Sequence, residues 1–191
     1  MLKNLEKYDV VLGSNSPRRR ELLNDMGVTF RVESIKGINE TYPASLPVEE
    51  IPVYLARLKA DSHPLKDNEL LITADTIVVL DDAVLGKPVG EQDAHRMLRA
   101  LSGRSHRVIS GVCVMTRERC ESFADTSIVR FADLTDEEID YYIEHYHPLD
   151  KAGAYGIQEW IGNIGIAGIN GDFYNVMGLP TRKLYQVLKT F

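Results

Sequence analysis

Between Leu70 and Leu80 the chain reads LLITADTIVVL, a stretch too rich in Ile, Val and Thr to prefer a helix. β-Branched side chains lose rotamer freedom against a preceding helical turn and pack well on a pleated surface, so a strand is predicted here. Asp81-Asp82 then turns the chain into the short segment Val84-Leu85-Gly86. One acid, Asp75, stands in the middle of this apolar run. A carboxylate in such a setting is costly to bury unless a cation or hydrogen bonds accompany it, which points to a metal ligand or a general base. The alternative is a carboxylate on a solvent-facing edge strand. Successive strand residues point to opposite faces, so Asp75 and Thr76 line one pocket only at a strand end or a bulge.

Elsewhere helix and strand signals alternate. Val10-Val11-Leu12 reads as a strand that ends in the loop Gly13-Ser14-Asn15-Ser16, and Pro17 opens a helix with Leu22, Leu23 and Met26 on one face. Ser16 suits the N-cap, Pro17 the first helical position and Gly27 the C′ position. A second strand over 29–34 leads into a loop rich in Gly, Pro and Ser, and 47–60 reads as a helix with Val48, Ile51, Leu55 and Leu58 at helical spacing. A helix over 92–101 turns Met97, Leu98 and Leu101 inward and ends at Gly103. Two strand-like stretches, 107–116 and 122–131, meet near Arg117-Glu118-Arg119 and are expected to be antiparallel. Thr135 and Glu138 form a capping box for a helix whose Ile139, Tyr142, Ile143 and Tyr146 share a face. A Gly-rich segment, 153–171, and a helix over 180–188 close the chain. Nothing repeats and no linker stands out, so residues 1–191 are expected to form one domain around a mixed α/β sheet.

Composition excludes several classes of function. Twenty-two Lys and Arg against 28 Asp and Glu give a net charge of −6, a far field that repels nucleic acid and anionic lipid. Apolar runs stop well short of the roughly 18 residues that span a bilayer, and the polar start MLKNLE lacks the apolar region of a signal peptide, so a cytoplasmic protein is expected. Cys113 and Cys120 are seven apart, which suits neither a metal site nor a disulfide framework, and both are read as reduced and structural. Asn39-Glu40-Thr41 matches a glycosylation pattern that a cytoplasmic chain does not use.

Arg18, Arg19 and Arg20 occupy the first turn of a helix, where the macrodipole disfavours positive charge. With the backbone N–H groups and hydroxyls of the preceding loop, they would make a phosphate cradle; the plainer reading is that they are solvated. Neither G-x-x-x-x-G-K-[ST] nor G-x-G-x-x-G occurs, which argues against P-loop NTPases and dinucleotide dehydrogenases. Lys59 lies among apolar helix positions and Lys87 in the constrained turn Gly86-Lys87-Pro88; each alone also reads as a surface lysine. His145 and His147 at a helix end are explained by the dipole, His106 is ambiguous, and Trp160 reads as core or rim.

Six strings, in order, carry a resemblance. They are Ser14-x-Ser16-Pro17-Arg18-Arg19, Ala74-Asp75-Thr76, Gly86-Lys87-Pro88, Leu101-Ser102-Gly103-Arg104-x-His106, Asp150-Lys151-Ala152-Gly153-Ala154-Tyr155-Gly156-Ile157-Gln158, and Gly171-Asp172-x-x-Asn175-Val176-x-Gly178-Leu179-Pro180. Together they closely resemble the Maf family of nucleotide pyrophosphatases, over nearly the whole chain from Val10 onward. The resemblance implies an elongated mixed β-sheet with flanking helices and two lobes around a cleft, a fold shared with the inosine triphosphate pyrophosphatases. It also implies hydrolysis of nucleoside triphosphates to monophosphate and pyrophosphate with a divalent cation, Mg²⁺ or Mn²⁺, by a homodimer. Ala-Asp-Thr and Gly-Ile-Gln resemble the branch that acts on dTTP and UTP, whereas the 7-methyl-GTP branch carries Ser-Asp-Gln and a Glu at these places.

Carried over by position, the resemblance makes Asp75 the proton acceptor and places Arg18, Thr76 and Gln158 where they influence substrate choice. Ser14, Arg18, Arg19, Lys59 and Lys87 fall on the phosphate side, and Glu40 joins Asp75 beside the metal. Glu159-Trp160 departs from relatives that have Gly after the Gln, which bears on pocket shape and base preference. A globally acidic protein that takes a polyanion must concentrate cations locally, and these arginines and lysines can do so. Rival readings are the same hydrolysis on modified or purine nucleotides, and a nucleotide-binding regulator of cell division without turnover; a general base in an apolar strand favours the enzyme.

Overall fold

The structure, a computed structural model, describes residues 2–35 and 37–191; Met1 of the polar start and Lys36 of the loop after the second strand lie outside the described residues. Among the described residues, seven strands form one mixed sheet: β1 (Asp9–Leu12), β2 (Arg31–Val32), β3 (Glu69–Leu80), β4 (Ala83–Leu85), β5 (Ser105–Met115), β6 (Cys120–Phe131) and β7 (Ile166–Asn170). Their order is β2-β1-β3-β5-β6-β7, with β4 paired to β3. β1 is parallel to both β2 and β3, with Asp9 opposite Glu69 and Leu12 opposite Ile72. β4 folds back antiparallel on the end of β3, and β7 is antiparallel to β6. Thr116 N–H to Arg119 O at one end and Phe131 N–H to Arg104 O at the other make β5 and β6 an antiparallel hairpin, as expected.

The helices are α1 (Pro17–Asp25), α2 (Ile51–Asp61), α3 (Glu91–Leu101), α4 (Asp136–Tyr146), α5 (Trp160–Gly165), α6 (Phe173–Met177) and α7 (Thr181–Leu188). The cap signals act as their chemistry dictates. Ser16 Oγ accepts from Arg19 N–H, Pro17 opens α1, and Gly27 takes φ 71° after it. The Thr135–Glu138 capping box is formed in both directions.

Two expectations need correction. The helix expected over 47–60 begins as a 3-10 turn, Val48–Glu50, and becomes α-helical only at Ile51, because Pro52 has no N–H to give and is tolerated only in a first turn. The strand expected over 29–34 pairs only through Arg31–Val32. Tyr146 shares the face of Tyr142 as expected, their rings stacked 5.3 Å apart, and stands exposed at the end of α4, just before the left-handed His147 (φ 46°).

The chain divides into two compact units, and β3, β5 and β6 each contribute residues to both. The first comprises Met1–Asp75, Ser110–Asp125 and Gly178–Phe191. Its core includes Val11, Leu71 and Cys113 packed with Ala56 and Ala60 of α2. Gly111 admits α2 against β5: a Cβ there would stand 2.2 Å from the Pro52 carbonyl carbon. The second unit comprises Thr76–Ile109 and Thr126–Met177, with Leu98 and Leu101 of α3 and Ile139 and Tyr142 of α4 buried with Val129 and Phe131.

Candidate active site

Strand β3 is buried at ten of its twelve positions, and the two that are only partly buried are Asp75 and Thr76. β1 pairs with β3 as far as Ile72 and β4 pairs with it only from Val78 onward, so both residues fall where neither strand pairs with β3. That answers the question left open by the sequence: Asp75 lies in a regular strand between two covered stretches, with 14% of its side chain exposed.

Within the first unit the chain brings a cation to it. Lys59, on α2, is itself 14% exposed, and its Nζ lies 2.6 Å from Asp75 Oδ1 and 3.2 Å from Glu40 Oε2. α2 is held against β3 at this level by Thr73 Oγ1, which donates to Ala56 O at 2.6 Å. Glu40 is half exposed. An ammonium thus stands between two carboxylates, each of which offers hard oxygen donors.

Arg19 closes the other flank of Ala74-Asp75. Its Nη1 donates to Ala74 O at 2.9 Å and to Ser14 Oγ at 3.4 Å, and its Nε donates to Gly178 O at 2.8 Å. Loss of surrounding water pushes this guanidinium below its ordinary value, Asp75 raises it, Arg18 lowers it and Glu40 raises it again. Arg19 therefore ties the α1 loop to the backbone beside Asp75 and to the Gly178 turn. Arg18, next in the same helical turn, is partly exposed. Removing the Arg19 anchor by Arg19→Ala is expected to lower stability by about 2 kcal/mol, the scale of charge-assisted hydrogen bonds to buried carbonyls, which urea unfolding will read.

Thr76, Lys87 and Gln158 belong to the second unit. Lys87 and Gln158 are both exposed, and Gly153 N–H donates to Gly86 O at 3.0 Å, which ties the Lys87 turn to the segment leading to Gln158. Other residues of the recurrent strings serve as scaffold. Asn175 Nδ2 donates to Val108 O at 3.1 Å and to Ser127 Oγ at 2.9 Å, and His106 Nε2 lies 2.7 Å from the Tyr155 hydroxyl.

Sequence reasoning missed a cluster at the opposite end of β3. Glu33, His63 and Glu69 place ligand-type atoms within 4.8 Å of one another. Cations already fill this group: Arg31 donates to Glu33, Glu69 and Asp9, and Lys66 reaches Glu69 through both N–H and Nζ. It reads as a largely exposed ion-pair network built around the buried Glu69 at the start of the parallel strands, six residues or about 20 Å along β3 from Asp75. The one available signal was an acid, Glu69, directly ahead of an apolar run.

Residues 9–191 match the family described as Maf-like protein. The chain belongs to that family. It is 56% identical over 193 residues to the dTTP/UTP pyrophosphatase of Parabacteroides distasonis, covering 100% of each chain. It is 55% identical over 195 residues to the dTTP/UTP pyrophosphatase of Porphyromonas gingivalis, covering 100% of this chain and 98% of that one. In fold, this Maf-like chain resembles a HAM1 protein from Coxiella burnetii, with a TM-score of 0.53 at 18% identity over 96% of this chain and 100% of that one. The mixed α/β architecture is thereby shared with HAM1-type proteins.

Proposed function

We propose that this chain hydrolyses dTTP and UTP to the nucleoside monophosphate and pyrophosphate, as the names of its relatives indicate for them. The observation that carries the reading is the convergence of Asp75 and Glu40 on Lys59, Asp75 being one of the two partly exposed positions of an otherwise buried strand. Asp75 takes the proton of a water that attacks the α-phosphorus; the bond to the bridging oxygen breaks and pyrophosphate leaves. Lys59 holds the Asp75 carboxylate through Oδ1, which fixes the direction from which the proton arrives. Arg18, Lys59 and Lys87 offset the negative charge of the triphosphate, while Ser14 and Arg19 shape the loop that receives it.

Glu40 and Asp75 fit a hard divalent cation, Mg²⁺ or Mn²⁺: both present carboxylate oxygens, and they already converge on one positive charge. Such an ion supplies charge neutralisation at the phosphoryl oxygens when bound. The Glu33, His63 and Glu69 group does not fit this duty, because Arg31 and Lys66 occupy it. We place the working enzyme in the cytoplasm as a single-domain homodimer; among the described residues no helix is long and apolar enough to cross a membrane.

Base choice is assigned to Gln158, with Thr76 and Arg18. Uracil and thymine present an N3–H donor beside carbonyl acceptors, and a primary amide answers both. Cytosine lacks that proton, and a mismatched polar edge costs about 1–3 kcal/mol. kcat/KM for UTP is therefore expected to exceed that for CTP by at least about tenfold. A panel of dTTP, UTP, CTP and GTP tests this. Equal use of all four would overturn the assigned base preference.

A further inference from the structure

We propose that Tyr142 is a positioning residue for base selection, acting through Gln158; the inference rests on the assignment of Gln158 as the base-reading side chain. Gln158 lies in the turn Gly156–Glu159, closed by Glu159 N–H donating to Gly156 O at 3.0 Å. The hydroxyl of Tyr142, a fully buried residue of α4, holds both ends of that turn. It accepts from Gly156 N–H at 2.9 Å and donates to Oε2 of Glu159. The other carboxylate oxygen of Glu159 lies 3.2 Å from Nζ of Lys151, which is 8% exposed, so this acid is the far post of a clamp. There is no slack at the near end: a Cβ on Gly156 would stand 2.8 Å from the Glu159 carboxyl carbon and 3.1 Å from Gln158 Nε2.

The clamp matters because of what an amide can do when it is free. Rotation by half a turn exchanges oxygen and nitrogen, so an unrestrained Gln answers the cytosine edge as well as the uracil edge. Discrimination then requires that the turn set the amide direction before the base arrives. Tyr142, being buried, selects the base only through the turn it holds.

The test is a cycle of Tyr142→Phe, Gln158→Ala and the double variant, with the UTP to CTP ratio of kcat/KM measured for each. In Tyr142→Phe the ratio is expected to fall about fivefold while kcat for UTP stays within about twofold, since Asp75 and Lys59 are untouched. In the Gln158→Ala background the same change is expected to leave the ratio where Gln158→Ala put it. Hydrogen exchange at the Gly156 amide is expected to quicken in Tyr142→Phe, and Glu159→Gln, which still accepts from the hydroxyl, to keep more of the ratio than Glu159→Ala. If Tyr142→Phe proves poorly folded, the Glu159 pair carries the same test. An unchanged ratio in both Tyr142→Phe and Glu159→Ala, or an equal fall with and without Gln158, overturns the clamp and leaves the base assignment standing. An unchanged ratio in Gln158→Ala alone overturns that assignment and this inference with it.

Discussion

Asp75→Asn lowers kcat by at least about 10², the usual scale for removal of a general base. The amide keeps the size of the carboxylate and an oxygen for Lys59 Nζ, now 2.6 Å from Oδ1, so the strand and α2 retain their contact. What is lost is the proton acceptor. Circular dichroism checks that the variant folds, and calorimetry checks that it still binds nucleotide. A folded Asn variant with near wild-type turnover removes Asp75 from the chemistry.

Acid weakens the fold in two steps, one from each unit. Burial holds the His106 imidazole down from 6.5 to about 4, against Phe131 and Tyr155. Burial alone would raise Glu69, but the Lys66 N–H, His63, the Lys66 side chain and Arg31 outweigh it and hold the carboxyl down from 4.5 to about 2. Both shifts have the same sign of consequence. In each window the unfolded chain binds a proton that the folded chain refuses, so stability falls with pH. For His106 the loss begins near pH 6.5 and is complete near 4; for Glu69 the contribution is whole above 4.5 and is lost as pH falls through 2. Each step is on the order of 3 kcal/mol. Urea unfolding at a series of pH values resolves them. His106→Phe flattens the first step, and Glu69→Gln flattens the second while lowering stability at neutral pH, because Arg31, His63 and Lys66 lose the charge they surround. A first step that persists in His106→Phe would place its origin elsewhere.

What could be read from residues alone was local. Ser16, Pro17, Gly27 and the Thr135–Glu138 box announce helix ends through chemistry confined to one turn, and each acts as expected. Asp75 stood out because an acid inside an apolar strand needs a reason, and Lys59 because it lies among apolar helix positions. Their meeting was not legible, since it depends on α2 lying against β3, where Thr73 Oγ1 donates to Ala56 O. Arg19 illustrates the same limit. Its position in a first helical turn suggested a phosphate cradle, yet its bonds run to the carbonyls of Ala74 and Gly178, partners that no spacing announces. The Gly-rich close of the chain hid α5 and β7, because the helix signal is weak where glycine is required: a Cβ at Gly162 would stand 1.7 Å from Ile157 O. Glu159, a departure when seen as a string, becomes intelligible beside Tyr142 and Lys151.

The central claim is attack of water on the α-phosphorus at Asp75, and hydrolysis of UTP in ¹⁸O-labelled water with Mg²⁺ tests it most directly. Mass spectrometry of the products reports where the label lies. The account predicts UMP and pyrophosphate, with one ¹⁸O in the UMP phosphate and none in the pyrophosphate. Label in pyrophosphate would mean attack on the β-phosphorus, and UDP with labelled orthophosphate would mean attack on the γ-phosphorus; either result contradicts the claim.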